Sequence, residues 1–134
     1  MYVLNVVTPE KVIFEDEVIS IVAPGSEGYL GLLTDHAPLI TALVPGKLTV
    51  KDRDGKERFF CVSGGFLEVS NNVATLLADA AEAAKEIDIE RARAALERAE
   101  KRLEAKRPEI DLARAQGALS RALNRIKVYE ESHS

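Results

Sequence analysis

The chain has 134 residues, 30% of them charged, with a formal net charge of -4 and a mean hydropathy of -0.07. That length supports one core of ordinary size or one small domain with an appendage, and no apolar run approaches the roughly 20 residues of a membrane-spanning helix. Residues 1–81 carry 6 Lys/Arg and 11 Asp/Glu, residues 82–134 carry 12 and 11, and aromatics make up 5%, so the basic excess and stacking rings of a general nucleic-acid binder are missing.

Met1-Tyr2-Val3-Leu4-Asn5 lacks the basic start and sustained apolar segment of a signal peptide, so a cytosolic chain is expected. From Tyr2 to Leu77, short β-branched and aromatic runs alternate with turn candidates at Pro9-Glu10-Lys11, Pro24-Gly25-Ser26, Pro45-Gly46, Asp54-Gly55, Gly64-Gly65 and Asn71-Asn72. Such spacing predicts an antiparallel β-sandwich or barrel. Leu4, Val6 and Thr8 alternate with Asn5 and Val7, whereas Val18, Ile19, Ile21 and Val22 read as a more fully apolar strand. Asp54-Gly55 and Asn71-Asn72 are hairpin signals, because these residues tolerate positive φ.

The glycines of Gly25-Ser26-Glu27-Gly28-Tyr29-Leu30-Gly31 match neither a dinucleotide fingerprint nor a Walker loop, and no helix follows to receive a phosphate. His36 has no second ligand or acid beside it to argue for a metal or a triad, so a structural or interfacial role is expected. Cys61, the single cysteine, stands between Phe60 and Val62 with no activating His or Lys, which predicts a buried, inert thiol.

The period changes at Ile87-Asp88-Ile89-Glu90-Arg91-Ala92. Asp88 is placed to cap a helix, its carboxylate reaching the free amides of the first turn. Arg91 lies one turn on, where a carboxylate and a guanidinium either pair with each other or together grip a ligand. Ile89, Ala92, Leu96, Ala99 and Leu103 then recur at steps of three and four, a break falls near Arg107-Pro108, and Leu112, Ala115, Leu119, Ala122, Ile126 and Tyr129 form a second seam. Two antiparallel helices of about 25–30 Å each are expected. Alanine at alternate seam positions keeps the hairpin weak, since a buried methyl contributes about 0.8 kcal/mol against ~1.5–3 for a leucine. Arg91 and Arg98 form one stripe and Arg114, Arg121 and Arg125 another; closing the hairpin brings Arg91 near Arg121 and Arg125, a phosphate-sized anion site. A solvated charged face with Glu90, Glu97, Glu100 and Glu104 fits the same pattern.

Val7-Thr8-Pro9, Gly28-Tyr29-Leu30-Gly31, His36-Ala37-Pro38-Leu39 and Ser63-Gly64-Gly65-Phe66-Leu67-Glu68-Val69, in this order before an alanine-rich hairpin, resemble the epsilon subunits of bacterial F-type ATP synthases along essentially the whole chain. The resemblance implies a β-sandwich over residues 1–84 that docks on the gamma subunit and the c-ring, and a helical hairpin over residues 85–134. It implies a non-catalytic, peripheral rotor subunit on the cytoplasmic face of the membrane. That subunit would couple proton translocation to ATP synthesis and restrain hydrolysis, with its extended helices meeting the alpha and beta subunits. The hairpin looks like those that bind ATP, with Mg2+ as its candidate companion, through an Ile/Leu-Asp-x-x-Arg-Ala motif. Here that motif supplies Ile87, Asp88, Arg91 and Ala92, with Glu82, Arg98, Arg121 and Arg125 carried over as further contacts. Glu82 and Asp88 would bond adenine or ribose and the arginines the phosphates. Tyr29 departs from the pattern, where many relatives carry an acid in the loop that meets the c-ring.

Overall fold

A computed structural model describes residues 1–105 and 112–132. Its strands are β1 (Tyr2–Val7), β2 (Val12–Gly25), β3 (Gly28–Leu32), β4 (Leu39–Asp52), β5 (Glu57–Ser70), β6 (Val73–Ala78) and β7 (Ala81–Ala83). A single 3-10 turn (Ala84–Glu86) leads to α1 (Ile89–Ala105), and α2 (Leu112–Ser132) follows. The expected break near Arg107-Pro108 lies outside the described residues. The architecture is the expected β-sandwich followed by a helical hairpin.

The strands run in the order β1-β6-β5-β4-β2-β3, with β7 on β5 and an extra pairing of β1 with β2 that joins the path back on itself. β1 lies parallel to β6 and antiparallel to β2. Its alternation is the one expected from sequence: Leu4 and Val6 are buried with Val18, Leu48, Val50, Val62, Leu67 and Leu76 in one core, and Thr8 is buried beyond them. Tyr2 is buried as well, and its hydroxyl donates to the Leu32 carbonyl at 2.7 Å, tying β1 to the end of β3. Withdrawal from water pushes that phenol up to about 12.

Three expectations need correction. β2 is not buried on both faces: Val18 and Ile21 point inward, but Ile19 and Val22 are exposed. An irregularity in the β2–β4 register between Val18 and Ser20 puts two inward positions three residues apart, which strict alternation forbids. Pro45-Gly46 is no turn but lies within β4, where Gly46 pairs with Val62. Gly64-Gly65 lies within β5, with φ of 120° and 125°, and marks a bend. At Gly65 a Cβ would sit 2.0 Å from the Leu77 carbonyl oxygen, so the close approach of β6, not a chain reversal, requires glycine there. The two hairpin signals hold, with Lys51 opposite Glu57 and Ser70 opposite Val73.

In the helices the alanines Ala92, Ala99, Ala115 and Ala122 are buried, while Leu96, Leu103, Leu119 and Ile126 are only partly covered. α1 packs chiefly on α2, and α2 packs on β4 and β5. The larger apolar contribution comes from Val128, outside the expected seam, which is buried with Cys61, Ala84 and Ile87 and flanked by Phe59 and Tyr129.

The Gly65→Ala variant is expected to lose roughly 3 kcal/mol of stability from overpacking and positive-φ strain together. Gly55→Ala, at φ 81° in an open turn with nothing within 4 Å of the new methyl, should lose only about 1–2. Urea unfolding of both variants checks the difference.

Candidate functional site

β7 and the 3-10 turn bring Glu82, Glu86 and Ile87 beside the start of α1. The Asp88 carboxylate accepts the Arg91 backbone N–H at 3.1 Å and its carbonyl accepts the Ala92 N–H at 3.0 Å, which is the expected cap. Among the described residues Asp88 and Arg91 form no ion pair, so the alternative in which the two side chains satisfy each other is not the arrangement adopted. Two of the acids along the outer face have their own partners: Glu90 meets Arg93 and Glu97 meets Lys101, each at 3.2 Å.

One cavity of about 230 Å³ is lined by Glu82, Glu86, Ile87, Asp88, Arg91, Ala92 and Arg125. A smaller one of about 90 Å³ adjoins it, lined by Cys61, Ser63, Ala80, Ala81, Glu82, Arg121, Asn124 and Arg125. Glu82 and Arg125 belong to both, and they are bonded to each other, Arg125 Nε donating to Glu82 Oε1 at 2.7 Å. The structure therefore gathers Glu82, Ile87, Asp88, Arg91, Ala92 and Arg125 around one space and puts Arg121 in the next. Arg98, two turns along α1 from Arg91, lines neither cavity.

Sequence reasoning missed two residues here. Glu86 carries no pattern of its own, and only the fold of the 3-10 turn shows that it shares the cavity. Asn124 is half-buried and reaches the sandwich, its amide nitrogen donating to the Val62 carbonyl at 3.1 Å, Cys61 Sγ at 3.3 Å and the Gly46 carbonyl at 3.5 Å. Its only sequence signal is a 4/3 spacing, Asn124, Val128 and Glu131, too polar to read as a buried face. Cys61 behaves as expected: it is buried, and burial, then the nearby Glu82 carboxylate, pushes its thiol up to about 11, with Arg125 opposing. His36 is exposed, its Nδ1 2.7 Å from the Ala37 carbonyl. The Tyr29 hydroxyl accepts the Lys47 backbone N–H at 3.2 Å, which ties this departure from the expected pattern to β4.

Comparison with known proteins agrees with this architecture. Residues 1–84 match the family described as ATP synthase, Delta/Epsilon chain, beta-sandwich domain, and residues 85–130 match its long alpha-helix domain. The chain is 54% identical over 127 residues to the ATP synthase epsilon chain of Desulforamulus reducens, covering 95% of this chain and 96% of that one. It is 50% identical over 133 residues to the ATP synthase epsilon chain of Protochlamydia amoebophila, covering 99% and 90%. Among solved structures, a chain of the Euglena gracilis mitochondrial ATP synthase OSCP/F1/c-ring assembly superposes with a TM-score of 0.77 at 28% identity, covering 99% of this chain and 81% of that one. The chain belongs to the ATP synthase delta/epsilon family, among its epsilon chains.

A further ion pair holds the end of α2, Lys47 Nζ to Glu131 Oε2 at 2.8 Å. The bond from Lys47 and its charge hold the Glu131 carboxyl below its usual range. A depressed folded value means the pair supports docking above the ordinary glutamate value of about 4.3 and loses that support as pH falls through the lower one. Water reaches both ends, so the contribution is about 0.5 kcal/mol. Protection of the last turns of α2 against hydrogen exchange, taken relative to the intrinsic rate at each pH, should therefore fall by about twofold between about pH 5 and pH 3. Lys47→Ala should raise exchange at neutral pH and flatten that pH dependence.

Proposed function

We propose that this chain is a non-catalytic, rotating central-stalk subunit of an F-type ATP synthase. It couples proton translocation to ATP synthesis, restrains ATP hydrolysis, and carries a hairpin that binds ATP when folded and extends toward the alpha and beta subunits when it is not. The stalk assignment draws on the epsilon chains that the sequence resembles and on the F1/c-ring assembly that the fold resembles. The nucleotide reading is carried by one observation: Glu82, Ile87, Asp88, Arg91, Ala92 and Arg125, drawn from β7, the linker, α1 and α2, line a single cavity. A ligand there touches both helices and the sandwich at once, so its binding free energy favours the closed hairpin over any arrangement that separates them.

In this reading Arg91, Arg121 and Arg125 take the phosphates, since planar guanidiniums bond phosphate oxygens two at a time. Glu82 and the Asp88 oxygen not used by the cap accept from adenine or ribose. Glu82, Glu86 and Asp88 put three carboxylates around the larger cavity against two guanidiniums, so a polyphosphate needs its own charge reduced. Among the described residues no group of His, Cys, Asp and Glu is arranged to hold a metal, and Mg2+ would arrive on the phosphates, keeping most of its water.

Exposed surface on the sandwich supports the docking read from the family resemblance. Val7, Leu77, Phe66 and Ala42 stand opposite one another across β1, β6, β5 and β4, an apolar row in which Phe66 is 56% exposed. Such a row suits the gamma subunit. The exposed Tyr29 and the following segment of residues 33–38, where Asn72 binds Asp35 and the Met1 carbonyl, would meet the c-ring. Among the described residues no helix is long and apolar enough to cross a membrane, so attachment at the cytoplasmic face would be through these contacts.

A second reading, a purely structural hairpin, has one observation in its favour: the Glu82–Arg125 pair at 2.7 Å already bridges sandwich and α2 without a ligand. Calorimetry on the isolated chain separates the two. ATP is expected to bind 1:1, and Arg91→Ala and Arg125→Ala should each weaken it at least about tenfold, the scale of one charge-assisted hydrogen bond. Arg98→Ala should change affinity much less. Unchanged affinity in both arginine variants would sink the site.

A further inference from the structure

The Asn124 amide on α2 hydrogen-bonds the backbone of two sandwich strands. Among the described residues two ion pairs link helix and sandwich, Arg125–Glu82 and Lys47–Glu131, and both are between long, partly exposed side chains that tolerate small displacements of the helix. The Asn124 side chain has only two rotatable bonds, and its amide reaches two adjacent paired strands, at Gly46 of β4 and Val62 of β5. A one-residue rotation of α2, about 100° around its axis, would carry that amide away from both carbonyls. The neighbours of Asn124 on the helix are the residues the site uses. Arg121 lies one turn before it, Arg125 directly after it, and Val128 one turn beyond, locked among Cys61, Ala84 and Ile87.

We propose that Asn124 is a positioning residue: its amide sets the rotational register of α2 on the β4–β5 face and thereby holds Arg121 and Arg125 toward Glu82. The purpose given to those arginines rests on the nucleotide reading above, whereas the register itself does not. The chemistry required is that of a short, neutral double donor. Aspartate has the same shape but donates nothing and sets a negative charge against the Val62 carbonyl; alanine removes the contact altogether.

The chain carries its own reporter, because Cys61 is the single thiol, is 6% exposed, and lies under the Asn124 amide. Alkylation of the full-length chain with iodoacetamide therefore measures how often α2 leaves its seat. Asn124→Ala is expected to speed alkylation about fivefold to tenfold, and Asn124→Asp at least as much. Helicity by circular dichroism should hold or rise in the alanine variant, since alanine is the better helix former. Asn124→Gln, which keeps the double donor but on a longer stem with a third rotatable bond, should give a rate between those of the parent and the alanine variant. Equal reactivity in the parent, alanine and aspartate chains would overturn the proposal. So would a loss of helicity in Asn124→Ala that accounts for the added reactivity, because the residue would then serve the helix rather than its placement. A parallel ATP titration should show weaker binding by Asn124→Ala. Equal affinity alongside raised Cys61 reactivity would overturn the positioning of the arginines. If the parent chain bound no ATP, the nucleotide reading would fall, and Cys61 reactivity alone would decide the register.

Discussion

The contact between α2 and the β4–β5 face underlies the rest of the helical half. Val128 and Ile87 meet there with Cys61 and Ala84, and burying two such branched side chains is worth about 1.5–3 kcal/mol each. Ile87 does two things at once, since it closes the 3-10 turn and immediately precedes the cap of α1. Its burial thus determines where Asp88 stands, and through the cap where Arg91 emerges. α1 has no comparable anchor and leans chiefly on α2 through alanine methyls. The hierarchy runs from sandwich to α2 to α1, and it is the last step that is weakest.

The electrostatics of the site follow the same hierarchy. Glu82 belongs to the sandwich edge and Arg125 to α2, so their bond reports whether the helix is seated. A phosphate ligand that recruits Arg125 has to compete with Glu82 for it, or share the guanidinium by using the edge that Glu82 leaves free. That competition lowers affinity relative to an unpaired arginine, while keeping the partly exposed guanidinium beside an anion when no ligand is bound.

Much of this was legible in the residues. Leu4 and Val6 alternate because β1 has one wet and one dry face, and Asp54-Gly55 and Asn71-Asn72 mark reversals because their backbones go where few others do. Asp88 announced its helix because capping is local chemistry. What failed was non-local. Gly64-Gly65 reads as a turn until β6 is seen pressing on it, and Ile19 and Val22 read as core until the β2 bulge turns them outward. Val128 and Asn124 were hidden for a related reason: a heptad-like seam reveals the face toward another helix, but the face toward a sheet has no period of its own. The candidate site was legible in its arginines, its motif and, through the family resemblance, Glu82, but the pairing of Glu82 with Arg125 needed the fold.

The joining of β1 to both β6 and β2 has a mechanical consequence. A sheet with a free border can be unzipped one hydrogen bond at a time, but in a ring of strands a sideways load is spread over many bonds that must fail together, and β3 and the short β7 lie outside that ring. A part carried on a turning shaft is subjected to shear on every revolution. In the rotor role proposed above, stiffness of this kind would let the sandwich pass twist onward with little lag.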